Sequence, residues 1–297
     1  MKRIFALISG LVLAWPALGA VFLKYDGQPS VARVLAMQME SMLKQPVITE
    51  YPIDNATTKD VVVVVGRDGL LKVCEQDGTA PVIALFVGEE EFSSVKSSCQ
   101  RPVTAVFSGG SIRLRIGVLA SFWQDPVPVS LIYTDSLSVD PSLIVEAQKD
   151  FGLSIKTYPT SPQRAEALKV LTRAFSDTNL TMTLYDSELF TSEFARDAIR
   201  MSFHRQKVLV PHSASMVRAG ALFTLYSDMD AKLNWLVRAI NHYQSLGRLP
   251  VASYPTPIKV LFNPYLVKSH GIVLPTDAYL FAQFGLCPES GCEEALN

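Results

Sequence analysis

Short apolar runs and longer amphipathic stretches alternate along this chain. Val61 to Val65 is five consecutive valines, the pattern of a strand buried on both faces in a parallel sheet. Pro81 to Val87 and Val103 to Phe107 repeat it. Between them lie helical patterns: one over Val31 to Leu43, with Val31, Val34, Leu35, Met39 and Met42 on one face, and one through Leu70, Leu71 and Cys74. Gly66-Arg67-Asp68-Gly69 reads as a polar turn, and Glu89-Glu90-Glu91 as a helix start whose charge complements the dipole. A second series follows the proline-bearing stretch Gln124 to Pro128: strands at Val129–Tyr133, Ser154–Tyr158, Thr181–Tyr185 and Val208–Val210, and helices at Pro141–Gly152, after Ser161-Pro162, and at Ser192–Phe203. Such alternation predicts an α/β fold built from βαβ units.

In open parallel sheets, ligands bind beyond the carboxyl ends of the strands, where loops present helix N-termini. That rule gathers Gly66, Arg67, Asp68, Gly88 and Glu89 from the first series. From the second it gathers Thr134, Asp135, Asp186, Ser187, His212 and Ser213. Two such edges facing each other make a cleft. The helix starts after Val65 and Val87 suit a carboxylate, Arg67 offers a bidentate clamp, and Asp135 or Asp186 offers a seat for an ammonium group. Tyr133 and Tyr185 are placed to flank an apolar moiety. Each of these residues also has an ordinary reading as a cap or turn.

The start of the chain changes the compartment. Lys2 and Arg3 precede an apolar run from Ile4 to Leu18, and Ala17-Leu18-Gly19 supplies small residues for cleavage after Gly19. Residues 1–19 are therefore expected to be an export signal. Without Lys2 and Arg3 the chain carries 25 basic and 28 acidic residues, a net charge of −3. That balance offers no footprint for nucleic acid. The length suits two lobes. Cys74, Cys99, Cys287 and Cys292 make an even count in an exported chain. Four cysteines allow three pairings; proximity favours Cys74 with Cys99 and Cys287 with Cys292. Zinc would need close ligand pairs at both ends, which Cys74 and Cys99 lack. No metal or other cofactor is expected.

Hydrolase chemistry finds no constellation. There is no G-x-S-x-G elbow, and His204, His212, His242 and His270 form no H-E-x-x-H. Ser93-Ser94-Val95-Lys96 matches S-x-x-K without a K-T-G partner. The chain is not read as an enzyme.

The run KVLVPHSASMVRAGALFTLYSD, from Lys207 to Asp228, has a strand ending in proline, a polar turn and a glycine-alanine step into a strand. A helix pattern to Pro250 and IKVLFNPYLVKSHGIVLP, with Asn263, Gly271, Ile272 and Pro275, complete the order. This stretch resembles the substrate-binding proteins of ABC transporters that include bacterial tryptophan and tyrosine uptake proteins. VVVVVGRDGLLKV resembles the family more weakly, and the chain departs from the family twice: the family's turn usually carries Thr or Ser where Gly66-Arg67-Asp68-Gly69 stand, and its long helix usually begins near a Gly where this chain has Ala231.

The resemblance implies a type I periplasmic binding protein-like fold, two Rossmann-like lobes with parallel sheets joined by a multi-strand hinge. The lobes would be 20–115 with 228–255 and 116–227 with 256–286, followed by a tail, 287–297. Crossings would fall near Leu114–Leu119, Thr224–Asp228 and Tyr254–Lys259. It implies a periplasmic monomer that captures a small, amino-acid-like solute between the lobes and delivers it to an ABC permease in the inner membrane. A non-transporting two-lobed module, acting with a membrane sensor or receptor, is the alternative.

Overall fold

The computed structural model describes residues 19–49 and 55–293; the expected signal falls almost wholly outside them. The first lobe begins with β1 (Val21–Lys24), α1 (Pro29–Leu43) and β2 (Val47–Ile48). It continues through β3 (Val61–Val65), α2 (Gly66–Glu75), β4 (Val82–Val87), α3 (Glu89–Lys96) and β5 (Val103–Phe107). These strands form one parallel sheet in the order β2-β1-β3-β4-β5. Val61 to Val64 are fully buried, because β3 sits mid-sheet with helices on both faces. Burying such aliphatic side chains is worth roughly 1.5–3 kcal/mol each, which is why a five-valine run makes a central strand.

Chain direction reverses tightly after β3. Gly66 has φ +77°, a conformation that costs glycine little, and α2 starts there at once. The expected polar turn 66–69 is thus the first turn of a helix. The helix α1 also turns a different face inward: Ala32, Leu35, Ala36 and Met39 are buried, whereas Val31 and Val34 are 47% and 57% exposed. Small alanines let the helix approach the sheet closely, so the i, i+3, i+4, i+7 stripe through Ala32 prevails over the one through Val31.

The helix α4 (Ile112–Ala120) opens the second lobe, followed by β6 (Val129–Thr134), α5 (Pro141–Phe151), β7 (Ile155–Thr160) and α6 (Arg164–Asp177). Next come β8 (Leu180–Thr183), α7 (Ser192–His204), β9 (Val208–Val210), α8 (Ala214–Arg218) and β10 (Phe223–Tyr226). The sheet is parallel in the order β7-β6-β8-β9. A small sheet, β10-β11-β12, adds β11 (Ile258–Phe262) and β12 (Leu286–Cys287), with α10 (Pro264–Ser269) and α11 (Asp277–Phe284) between them. The long helix α9 (Met229–Leu246) returns to the first lobe, where Leu233, Leu236 and Ile240 pack with Val21, Val61 and Ile83.

Three connections join the lobes. Ile112, Ile116 and Leu119 pack with Val129 and Leu131 of the second lobe, so the first crossing precedes α4, at Ser108–Ser111, and not at Leu114–Leu119. The second leaves β10 through Ser227 and Asp228 into α9. The third runs from Ser253, which pairs with the end of β5 (Phe107 N to Ser253 O, 3.0 Å), to β11. Ser227 Oγ donates to Pro255 O at 3.0 Å and ties the second crossing to the third. Residue 287, expected to begin a tail, lies in β12 and is buried against β11.

Both expected sulfur pairs are within bonding distance: Cys74 with Cys99 and Cys287 with Cys292, at Cα separations of 4.5 and 4.7 Å. No helix among the described residues is long and apolar enough to cross a membrane.

Candidate functional site

The carboxyl ends of the two parallel sheets face each other, and in this structure they touch. Tyr185, which follows β8, packs on Gly88, the N-cap of α3; a Cβ at Gly88 would stand 2.8 Å from both Tyr185 Cβ and its carbonyl oxygen. The buried Glu91 carboxylate joins the lobes. One oxygen accepts from Gly88 N at 2.9 Å, and the other from Ser187 N at 2.7 Å and Ser187 Oγ at 2.5 Å. Arg67 in the first turn of α2 pairs with Glu188 across the gap at 3.0 Å. These bonds form a latch over the inter-lobe face.

Behind the latch lies a hollow of about 10 Å³, lined from the first lobe and hinge by Glu90, Ser108, Gly109, Gly110 and Tyr254, and from the second by Ile112, Arg115, Leu184, Tyr185 and His212. That is room for about one water molecule. Larger hollows, of about 540 and 670 Å³, open on the outside of the second lobe, near Trp123 and His270 and near Arg113 and Tyr279; neither is bounded by both lobes.

The chemistry of the inter-lobe hollow is set by burial. Arg115, 3% exposed, donates to the carbonyl oxygens of Thr183, Val210 and Pro211, which ties α4 to the ends of β8 and β9. Its Nε and the hydroxyl of Ser108, 6% exposed, have no hydrogen-bond partner among the described residues. Loss of water pushes the Glu90 carboxyl up to about 7, with Glu89 adding to the effect and Arg115 opposing it. Desolvation lowers Arg115 to about 10 and His212 to about 3, so the first stays cationic and the second neutral at pH 7. Tyr185 rises to about 12 by the same cause, and Tyr254, which donates to Glu89 at 3.0 Å, lies well above its usual range.

Among the residues singled out from sequence, Tyr185 and His212 line the hollow, their rings edge-on at 5.1 Å. Gly88, Arg67 and Ser187 build the latch, and Glu89 meets Tyr254. Gly66 shapes the entry to α2, and Asp68 is exposed on that helix. Asp135 is exposed after β6, and Ser213 contacts Ser215. Asp186 is fully buried inside the second lobe, its oxygens accepting from Thr134 N at 2.7 Å and Leu189 N at 3.0 Å. It therefore braces the ends of β6 and β8 and lies away from the hollow, as does Thr134.

Glu90, Ser108 and Arg115 were not singled out. Ser108-Gly109-Gly110 ends β5 and meets the same strand-end rule as Gly88. Arg115 carried a second signal: it interrupts the apolar side of IRLRIGVLA. Among the described residues, no group of three or more His, Cys, Asp or Glu is arranged to hold a metal ion.

No protein-family model matches the sequence, and no curated protein aligns with it significantly. Solved structures do match. The ABC domain in complex with L-Trp from Streptococcus pneumonia superposes with a TM-score of 0.64 at 13% identity, covering 91% of this chain and 99% of that one. A conserved domain protein from Vibrio cholerae gives 0.62 at 12% identity, with 91% and 99% covered. The ligand-free, open structure of a substrate-binding protein with adhesive properties from Clostridium difficile gives 0.57 at 11%, with 91% and 98% covered. At such identities the likeness is one of fold. The chain shares the two-lobed α/β fold of these structures.

Proposed function

We propose that the exported chain captures a small polar solute between its lobes, in the periplasm, and presents the closed form to an ABC importer. No catalytic role is proposed. The observation that carries this reading is the hollow bounded by both lobes, where Ser108 and Arg115 each keep a buried polar atom without a partner. Buried polar groups are nearly always satisfied, and those that are not call for an explanation such as a ligand or water. The hollow is too small for an amino-acid-like solute as the lobes stand, so entry requires them to part about the three crossings. A structural relative described as ligand-free and open lends that motion support. The lobes are proposed as 20–111 with 228–255 and 112–227 with 256–293, the first boundary moved to the residue where α4 joins the second core.

The non-transporting alternative is favoured by one feature, the latch, which holds the lobes shut over so small a space. A thermal-shift screen of the mature chain separates the two. A solute at a hundred times its dissociation constant adds about 2.7 kcal/mol of stability. A positive solute that also lowers the radius of gyration of an opened population supports capture; a broad solute panel with no shift refutes it.

A further inference from the structure

Taking the solute-capture reading as its basis, we propose that the inter-lobe site holds its solute by an oxyanion, a carboxylate with no ammonium group beside it, bound between Arg115 Nε and the Ser108 hydroxyl. Most carboxylates around the inter-lobe face are engaged elsewhere or lie outside the hollow. Of the carboxylates near the latch, Glu91 accepts three hydrogen bonds from Gly88 and Ser187, Glu89 accepts the Tyr254 hydroxyl, and Glu188 pairs with Arg67. Asp186 is held by two backbone N–H groups, and Asp135 stands exposed on its loop. None of these lines the hollow, so none is placed to seat an ammonium group there.

What remains favours negative charge. Arg115 is buried with its terminal nitrogens on carbonyl oxygens, and among the described residues no carboxylate pairs with it. A buried cation without an ion partner is costly, and an entering anion offsets that cost. Ser108 adds a hydroxyl donor beside the Tyr185 hydroxyl, outside hydrogen-bonding geometry with it. The remaining carboxyl, Glu90, faces Glu89 and Glu91 on its own helix, Arg115 from α4, Tyr254 from the hinge, and Tyr185 and His212 from the second lobe. Burial holds it near 7, so it presents an O–H to an oxyanion as readily as a charge. An anion beside it favours the protonated form further. Binding then takes up a proton, and affinity falls by up to about tenfold per pH unit above pH 7. An ammonium group would do the reverse.

The test uses matched solutes that differ by one ammonium group: propionate against alanine, succinate against aspartate, 3-phenylpropionate against phenylalanine, with glycerol as the neutral member. Binding to the mature protein is followed by thermal shift and calorimetry at pH 6, 7 and 8. The expected result is binding by at least one member without the ammonium group, at least tenfold tighter than its amino counterpart and weaker at pH 8 than at pH 6. Ser108→Ala, which removes only a contact with the Tyr185 hydroxyl, should keep the melting temperature of the free protein and lose about tenfold in carboxylate affinity. Glu90→Gln should keep the affinity seen at pH 6 and lose the pH dependence; should it fail to fold, the Ser108→Ala pair of readings stands alone. Tighter binding by the amino members, affinity that rises through pH 7, or binding by glycerol alone overturns the oxyanion site and leaves solute capture standing. Absence of any shift with a wider panel that includes sugars and amino acids removes solute capture itself, and the oxyanion site with it.

Discussion

Gly88→Ala probes lobe closure with little effect on either lobe. Gly88 has φ −76° and ψ 160°, extended backbone open to any residue, so alanine adds no local strain. The added methyl would nevertheless stand 2.8 Å from Tyr185 Cβ and Tyr185 O, where ordinary contact begins near 3.4 Å. The lobes must part there by about 0.6 Å. The Glu91–Ser187 bonds, at 2.5 and 2.7 Å, lie within a few residues of the clash and stretch with it. Inserting a methyl into such packing costs about 1–3 kcal/mol, which lowers the closed-to-open ratio by about 5- to 150-fold. Loss of glycine's freedom in the unfolded chain stabilises each state by about 0.4–1 kcal/mol. Amide hydrogen exchange separates these effects. The Ser187 N–H, which donates to Glu91 across the gap, should exchange faster by that factor, while core amides of β3 and β8 keep or gain protection. A Ser187 amide that exchanges at the wild-type rate, with an unchanged radius of gyration, would refute the latch.

Three further outcomes are expected. Replacing Cys74 and Cys99 by alanine frees a 25-residue separation and should cost about 3.5 kcal/mol in urea unfolding; a loss under 1 kcal/mol would mean the pair does not constrain the unfolded chain. Asp186→Ala leaves two buried backbone N–H groups unpaired and should cost about 2–4 kcal/mol of stability; wild-type stability together with lost solute affinity would return Asp186 to the site. Glu90 has its folded value raised from 4.5 to about 7, so the folded state binds its proton more tightly and wild-type stability falls as pH rises through that window. Glu90→Gln lacks the penalty, so its stability relative to wild type should grow by about 1.4 kcal/mol per pH unit from 4.5 to 7 and level off above; a difference that does not change with pH would place Glu90 in water.

Some of this was present in the sequence because it depends on neighbours along the chain. Five valines in a row suit only a strand covered on both faces, and the alternation of such runs with helical stretches dictates parallel sheets with helices on either side. The end of each strand follows from that, so Gly88, Tyr185, Ser187 and His212 could be placed at the inter-lobe edge without coordinates. The cysteine pairs too were chosen by proximity in the chain.

Tertiary structure decided everything that depends on two segments far apart meeting. Asp186 and Glu91 both sit beside strand ends as acidic residues, and nothing local distinguishes them. One spends its oxygens on its own lobe, the other reaches 96 positions along the chain to Ser187. Arg115 looked like part of a crossing segment, yet α4 buries it among the carbonyls of β8 and β9, which lie 68 to 96 positions away. Which face α1 turns inward was settled by how closely Ala32 and Ala36 let it approach the sheet. Periodicity reports the spacing of apolar residues along one element, whereas desolvation, and with it the charge state of Glu90, Arg115 and His212, depends on what the other lobe places over them.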